Sequence, residues 1–255
     1  MIPAHNEDDG VGECLNSLMD MCIPDEINEV EYVVIDDRSE DRTKEIAEST
    51  GAKVISKNFR GDYVSAISET VAFGVENTEG CLILKCDADV QDIPKNALTK
   101  LHVHLSDDIR RVSSEVITKT RQNNPLLDLI FFLRYLNFKI SLKREPRGAF
   151  TLFERRTVQA VGGFDKTKPT WDTAFDQRIK SRGWGVELVG EVVVTEKRNF
   201  SLKQLINHQM RSGRLRRKLG VGFYRTLAHS IFRLRLFVVW GYISEVWNER
   251  KRVKS

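Results

Sequence analysis

The sequence predicts an α/β protein with a mostly parallel central sheet flanked by helices, followed by a helical, basic C-terminal tail. Three observations carry that expectation. Across residues 1–105, short apolar runs alternate with amphipathic segments of helical period, which is how parallel βα units read in sequence. Two of those runs end in acid clusters: Asp36-Asp37 after Tyr32-Val33-Val34-Ile35, and Asp87-Ala88-Asp89 after Cys81-Leu82-Ile83-Leu84. Charge is also segregated. From Lys197 to Ser255 there are 15 Lys/Arg against 2 Asp/Glu, whereas the remainder carries 25 against 34.

Taken in order, Met1-Ile2-Pro3 is a short first strand, implying either a start further upstream or a short sheet edge. Val11, Cys14, Leu15 and Leu18 then space out one helix face. Tyr32–Ile35 is apolar at every position, as in a strand buried on both faces. Ser39 is the expected N-cap of a helix over Glu40–Thr50 that Gly51 ends. Ala52–Ser56 is a short strand, and Val64, Ile67, Val71, Ala72 and Val75 mark the next helix. Cys81–Lys85 is the strand that delivers the second acid cluster, and Pro94 opens a helix through Leu98, Leu101 and Leu105. In the second half, Leu126–Ile140 is a Leu- and Phe-rich stretch suited to a core or self-association face. Gly162-Gly163 makes a turn, Thr173–Arg182 is helical with Gly183 as its stop, and Glu187–Thr195 is a strand. From Phe200 the chain is basic, aromatic and helical in pattern.

The 255 residues, 41% hydrophobic and 30% charged, suit a globular α/β domain with a full core. Cys14, Cys22, Cys81 and Cys86 form no Cys-x-x-Cys pair and no zinc spacing with histidine. They read as free thiols packed in apolar stretches, in a reducing compartment. The first residues lack the basic start and apolar stretch of a signal peptide, and no run reaches transmembrane length. A cytoplasmic location is expected, peripheral on the membrane face if the tail lies on lipid. Its mixture of basic and aromatic residues, Trp240 included, suits an interfacial helix; the alternative is a helix packed on the preceding domain with a basic outer face.

Open α/β sheets bind ligands where parallel strands end. A lone Asp-x-Asp is weak evidence, since about one is expected by chance in a chain of this size. Two acid clusters at two strand ends are stronger, and suit a hard cation such as Mg²⁺ or Mn²⁺ held against a diphosphate. The alternative for Asp87 and Asp89 is a turn whose carboxylates cap backbone N–H groups. For Asp36 and Asp37 the alternative is an N-terminal cap of the Glu40 helix; Asp36 reads as that cap and Asp37 as functional. Asp172 starts a predicted helix, where it is either an N-cap or a carboxylate held ready to accept a proton.

Four segments occur in a telling order: Pro3-Ala4-His5-Asn6-Glu7, Val34-Ile35-Asp36-Asp37-Arg38-Ser39, Cys86-Asp87-Ala88-Asp89 and Val161-Gly162-Gly163-Phe164-Asp165. Together with Asp172 they resemble the inverting family 2 glycosyltransferases of GT-A fold, over about residues 1–215. Polyprenyl-phosphate sugar synthases are the subgroup that comes nearest. The resemblance implies a Rossmann-like GT-A catalytic domain over 1–199 and a basic amphipathic helical tail over 200–255. It implies that Pro3, Ala4, His5 and Glu7 line a nucleoside pocket and that Asp37 accepts a hydrogen bond from the base or its surroundings. Asp87 would touch ribose or metal, Asp89 would ligate the cation, and Asp172 would be the general base. Arg211 or Arg214 would meet the leaving diphosphate. The expected partners are a nucleotide-sugar donor and a lipid-linked or glycan acceptor, with no nucleic acid.

Two departures matter. Trp171 stands where relatives commonly have Glu, which suggests a ring shaping the acceptor pocket. Ser212 follows Arg211, so the Gln-x-x-Arg-Trp form of processive relatives is missing and transfer of a single sugar is expected. Two other classes stay open: a non-catalytic nucleotide-sugar binder, and a nucleic-acid-binding protein using the basic tail, which leaves the acid clusters unexplained. Nucleotidyl transfer is disfavoured, because His5-Asn6-Glu7-Asp8-Asp9 is acidic where a triphosphate would need a basic, Gly-rich loop.

Overall fold

The computed structural model describes all residues except 142, 143, 200, 219, 234 and 253–255. The chain forms two compact units, Met1–Ile117 with Glu145–Lys197, and Thr118–Arg144 with Arg198–Ser255. The sequence suggests a domain boundary at residues 199/200; residues 118–144 also group with the C-terminal helices.

The first unit runs β1 (Ile2–Ala4), α1 (Val11–Met19), β2 (Val33–Asp36), α2 (Thr43–Ser49), β3 (Lys53–Ser56), α3 (Ala66–Glu76), β4 (Leu82–Cys86), β5 (Val90–Gln91), α4 (Ala97–His102) and β6 (Ile109–Thr120). After α5 (Pro125–Lys139) of the second unit it resumes with β7 (Phe150–Glu154), α6 (Arg155–Ala160), α7 (Trp171–Ser181) and β8 (Gly185–Arg198). Strands β1, β2 and β3 are parallel, with Val34 between Ile2 and Val54. On the other side of β1, the Met1 nitrogen donates to the Leu84 carbonyl (3.0 Å) and the Cys86 N–H to the Met1 carbonyl (3.1 Å). That slanted pattern is the one parallel neighbours make. Four strands thus run the same way in the order β3-β2-β1-β4, and the loops after β1, β2 and β4 leave from one edge. Beyond β4 the order is β4-β7-β6-β8-β5, with antiparallel β4–β7, β6–β7 and β5–β8 pairs. The parallel half matches the sequence expectation; the antiparallel half adds β6 and β7, which the apolar pattern did not announce.

Local chemistry explains the elements. Val33, Val34 and Ile35 are all buried, as a strand covered on both faces requires. Helix α1 buries Val11, Cys14, Leu15 and Leu18, its expected stripe. Gly162 and Gly163 turn the chain at φ +79° and +78°, a region that favours glycine. Several boundaries differ. Helix α2 starts at Thr43 rather than Glu40, because the Ser39 hydroxyl accepts from Asn6 N–H instead of capping a helix. Helix α4 starts at Ala97, three residues after Pro94. Cys14 and Cys86 are buried as expected, whereas Cys22 and Cys81 are exposed.

The second unit contains α5, α8 (Leu202–Lys218), α9 (Phe223–Phe232) and α10 (Phe237–Arg252). Helices α8 and α10 cross at two glycines. A Cβ on Gly213 would stand 2.0 Å from the Val238 carbonyl oxygen, and one on Gly241 2.1 Å from that of Met210. Leu127 and Phe131 of α5 pack with Leu205 of α8. No helix among the described residues is long and apolar enough to cross a membrane. Phe200, where the tail was expected to begin, lies outside the described residues.

Candidate functional site

The site is built on the carboxyl edge of the parallel strands. The loops after β1 and β2 are laced together: Asn6 N–H donates to the Ser39 hydroxyl (3.0 Å), Glu40 N–H to Asn6 Oδ1 (2.8 Å), and Glu7 N–H to the Thr43 hydroxyl (2.7 Å). Asp41 accepts from Asp8 N–H and Thr43 N–H. Asn6 and Arg38 both adopt left-handed backbone (φ 54° and 61°), a cost that non-glycine residues bear mainly where the surroundings hold them.

Of the expected nucleoside residues, Pro3 and Ala4 are buried strand residues, so they contribute backbone; the Ala4 carbonyl accepts from Asp37 N–H (2.8 Å). His5 is exposed, and its Nδ1 lies 2.7 Å from the Asp37 carbonyl, which places the proton on Nδ1 and leaves Nε2 to accept from Asn6 Nδ2 at 3.5 Å. Glu7 is half-buried, and its carbonyl starts α1 by accepting from Gly10 and Val11 N–H.

Asp37 is committed internally. Its Oδ1 accepts from Arg38 Nε (2.9 Å) and Lys57 Nζ (3.0 Å), and its Oδ2 from the Thr70 hydroxyl (3.0 Å). Burial works against its charge, yet the donors of Arg38, Lys57 and Thr70 outweigh it and hold the carboxyl below the usual carboxylate range. Asp36, by contrast, accepts from Ser39 N–H (3.1 Å) within the loop; the helix it was expected to cap starts only at Thr43, with Arg42 as its N-cap.

At the end of β4, Asp87 and Asp89 meet a third acid that sequence reading missed. Glu196 of β8 lies opposite Val90 of β5, and Lys197 N–H donates to the Asp89 carbonyl (2.8 Å). This pairing puts carboxylate oxygens of Asp87, Asp89 and Glu196 within 4.8 Å of one another. Three hard oxygen donors so gathered fit Mg²⁺ or Mn²⁺. The only signal for Glu196 was an acid ending the Val192-Val193-Val194 run, the same signature that flagged the other two clusters.

Asp172 is the second residue of α7, with Thr170 as N-cap, so it is not itself the cap. Its Oδ2 accepts from Gly148 N–H (3.0 Å) and its Oδ1 from Thr173 N–H (2.8 Å). The Gly148 carbonyl accepts from Lys85 Nζ (2.6 Å), and Lys85 is ion-paired with Asp87. One lysine and the backbone of one glycine therefore connect the acid cluster to Asp172. Position 148 has no room for a larger residue: a Cβ there would lie 2.6 Å from the Trp171 ring. Trp171 does not shape an acceptor pocket. It is 5% exposed, packed among Phe153, Phe164 and Phe175, with Lys85 Nζ and Arg111 over its ring at 5.3 and 5.5 Å. Arg211 (exposed) and Arg214 (half-buried) stand on α8 in the second unit; their expected role at the diphosphate rests on the resemblance.

Residues 1–150 match the model of glycosyl transferase family 2. The chain belongs to that family. It is 34% identical over 100 residues to 4,4'-diaponeurosporenoate glycosyltransferase of Staphylococcus haemolyticus, a match spanning 38% of this chain and 25% of that relative. Among solved structures it is similar to a mannosyltransferase from Pyrobaculum calidifontis in complex with GDP-Man and Mn²⁺ (TM-score 0.62, 14% identity, 100% of this chain and 74% of the other). It is also similar to glucosyl-3-phosphoglycerate synthase from Mycobacterium tuberculosis in complex with Mn²⁺, UDP and phosphoglyceric acid (TM-score 0.57, 18% identity, 80% and 71%). At these identities the likeness establishes the fold, which is of GT-A type.

Proposed function

We propose that this chain is a metal-dependent, inverting glycosyltransferase that moves a single sugar from a nucleotide-sugar donor to a lipid-linked or glycan acceptor. The observation that carries this reading is the carboxylate cluster of Asp87, Asp89 and Glu196, joined through Lys85 and Gly148 to Asp172. Asp89, with Asp87 and Glu196, would hold Mg²⁺ or Mn²⁺, whose charge would stabilise the diphosphate as it departs. Pro3, Ala4, His5 and Glu7 form the nucleoside side. Because the carboxylate of Asp37 is occupied by Lys57, Arg38 and Thr70, Asp37 serves the nucleoside by orienting the His5 ring with its carbonyl.

Asp172 is the general base. Each of its oxygens receives one backbone N–H and keeps lone-pair capacity for an acceptor hydroxyl. Lys85 neutralises Asp87 and anchors the Gly148 peptide, so the base keeps its orientation while its proton arrives. Were the acceptor a phosphate, ionised near neutral pH, Asp172 would orient more than deprotonate. A lipid-linked acceptor would put the protein on the cytoplasmic face of a membrane, as a peripheral protein.

The test is transfer from a panel of nucleotide sugars, with and without Mn²⁺ and a polyprenyl phosphate. Asp89→Ala should abolish metal-dependent donor turnover with the fold intact, and Glu196→Gln should raise the Mn²⁺ needed at least about tenfold. Full activity of Asp89→Ala at unchanged metal demand would remove the metal role.

A further inference from the structure

The second unit leaves much of its apolar surface uncovered. Among the described residues, all but five of the exposed large apolar side chains belong to it. Single exposed leucines are ordinary; their concentration in one small helical unit is not.

Helix α9 is turned the wrong way for water. It buries Thr226 and Ser230, both 0% exposed, and presents Tyr224 (84%), Ile231 (56%) and Phe232 (69%). The inward residue Thr226 is held by hydrogen bonds, donating to the Gly222 carbonyl (3.1 Å) and accepting from Arg216 Nε (3.3 Å). On α10, the close approach at Gly241 fixes which side meets α8, and Val238 and Tyr242 are buried there. Trp240, Ile243 and Trp247, spaced three and four apart, therefore face outward. Helix α5 repeats the pattern. Leu127 and Phe131 are buried, while Leu126, Leu129, Leu133, Leu136 and Ile140 form an exposed stripe at alternating steps of three and four.

Charge names the partner. By sequence this unit carries 20 Lys/Arg against 3 Asp/Glu, and the first unit 20 against 33. All three acids of the second unit are engaged: Asp128 by the Thr120 N–H and hydroxyl, Glu245 by Lys218, Glu249 by Arg217. By sequence, the unit's cations therefore far outnumber its own acids. A second copy would bring the same positive surface and be repelled. A nucleic acid would answer the charge and leave the apolar stripes in water. Only an anionic bilayer surface answers both.

We propose that the exposed apolar faces of α5, α9 and α10 sit in the headgroup region of an anionic lipid bilayer, with exposed Arg225 and Arg233 meeting lipid phosphates. This rests on the membrane part of the functional reading and on none of its catalytic chemistry. The test is co-sedimentation of the full chain with vesicles of phosphatidylglycerol and phosphatidylcholine, or of phosphatidylcholine alone, without donor, acceptor or metal. Binding should be at least about tenfold tighter to the anionic vesicles and fall as salt rises. Trp240→Ser with Trp247→Ser should weaken it about tenfold or more at unchanged circular dichroism. Should that variant misfold, Leu129→Ser with Leu133→Ser on α5 makes the same test on another helix. Equal affinity for both vesicles, or no association, would overturn the proposal. So would a dimer that the tryptophan variant dissolves while vesicles are ignored, or tight duplex-DNA binding with vesicles ignored. An inactive protein that still binds vesicles would count against the catalytic reading alone.

Discussion

Lys57→Met probes the electrostatic anchor beneath the loops that follow β1 and β2. Lys57 Nζ is buried at the end of β3, 3.0 Å from Asp37 Oδ1, 2.8 Å from the Phe59 carbonyl and 3.6 Å from Glu69 Oε2. Met fills much of the same volume without the charge, leaving Asp37 with Arg38 and Thr70 and almost no water; its side chain is 6% exposed. Breaking a buried ion pair from one side costs about 3–5 kcal/mol, and the two surviving donors put this case near about 3 kcal/mol. That is a large share of a typical stability of about 5–15 kcal/mol. The pH dependence has a definite sign. The Asp37 carboxyl is held below its ordinary 3.8, so its contribution is complete at neutral pH and is lost as pH falls through the folded value. In the variant, burial opposes the charge with fewer donors against it, and protonation relieves the penalty. The stability gap between parent and variant should therefore narrow from pH 7 towards about pH 4. Urea unfolding followed by circular dichroism at several pH values measures it. A gap under about 1 kcal/mol at pH 7, or one independent of pH, would refute the reasoning.

Two further predictions concern Asp172, the proposed base. Asp172→Asn should lower kcat at least about 100-fold and leave donor KM nearly unchanged, because proton acceptance is lost together with one of the two backbone N–H contacts, which the amide NH2 cannot accept; parent-like kcat would reassign Asp172 to holding the α7 terminus. Gly148→Ala places a methyl 2.6 Å from the buried Trp171 ring and 3.0 Å from Asp172 Cβ. It should cost about 1–3 kcal/mol in unfolding free energy and about 100-fold in kcat through displacement of the base. Normal turnover of this variant would show that the Lys85–Gly148 link is dispensable.

The elements that sequence reading located were announced by the apolar residues they bury, even where they bury polar ones too, as β4 does Lys85 and α3 does Ser68, Glu69 and Thr70. The stripe of α1, the run of β2 and the acid-tipped β4 all announced themselves in this way. Strand β6 did not, because it buries Arg111, Ser113, Ser114 and Glu115. Those residues are tolerated inside only through partners far along the chain, such as Thr151, which accepts from Arg111 Nε, and Asp176, ion-paired with Arg111. No local pattern encodes such a strand. Trp171 was misread for a related reason: its neighbours Phe153, Lys85 and Arg111 come from three different strands.

Chain order and local chemistry were enough to establish the parallel half of the sheet, the strand-end position of Asp37, Asp87 and Asp89, and the split between an acidic body and a basic end. These follow from hydrophobic period and from where acids interrupt it, quantities that belong to neighbouring residues. Only the tertiary structure brought Glu196 to Asp89, committed the Asp37 carboxylate to Lys57, and tied Asp172 to Asp87 through Gly148 and Lys85. It also decided which helix faces of the second unit remain bare. Each of these is set by pairing register or close packing between segments distant in sequence, and no window of neighbouring residues contains that information.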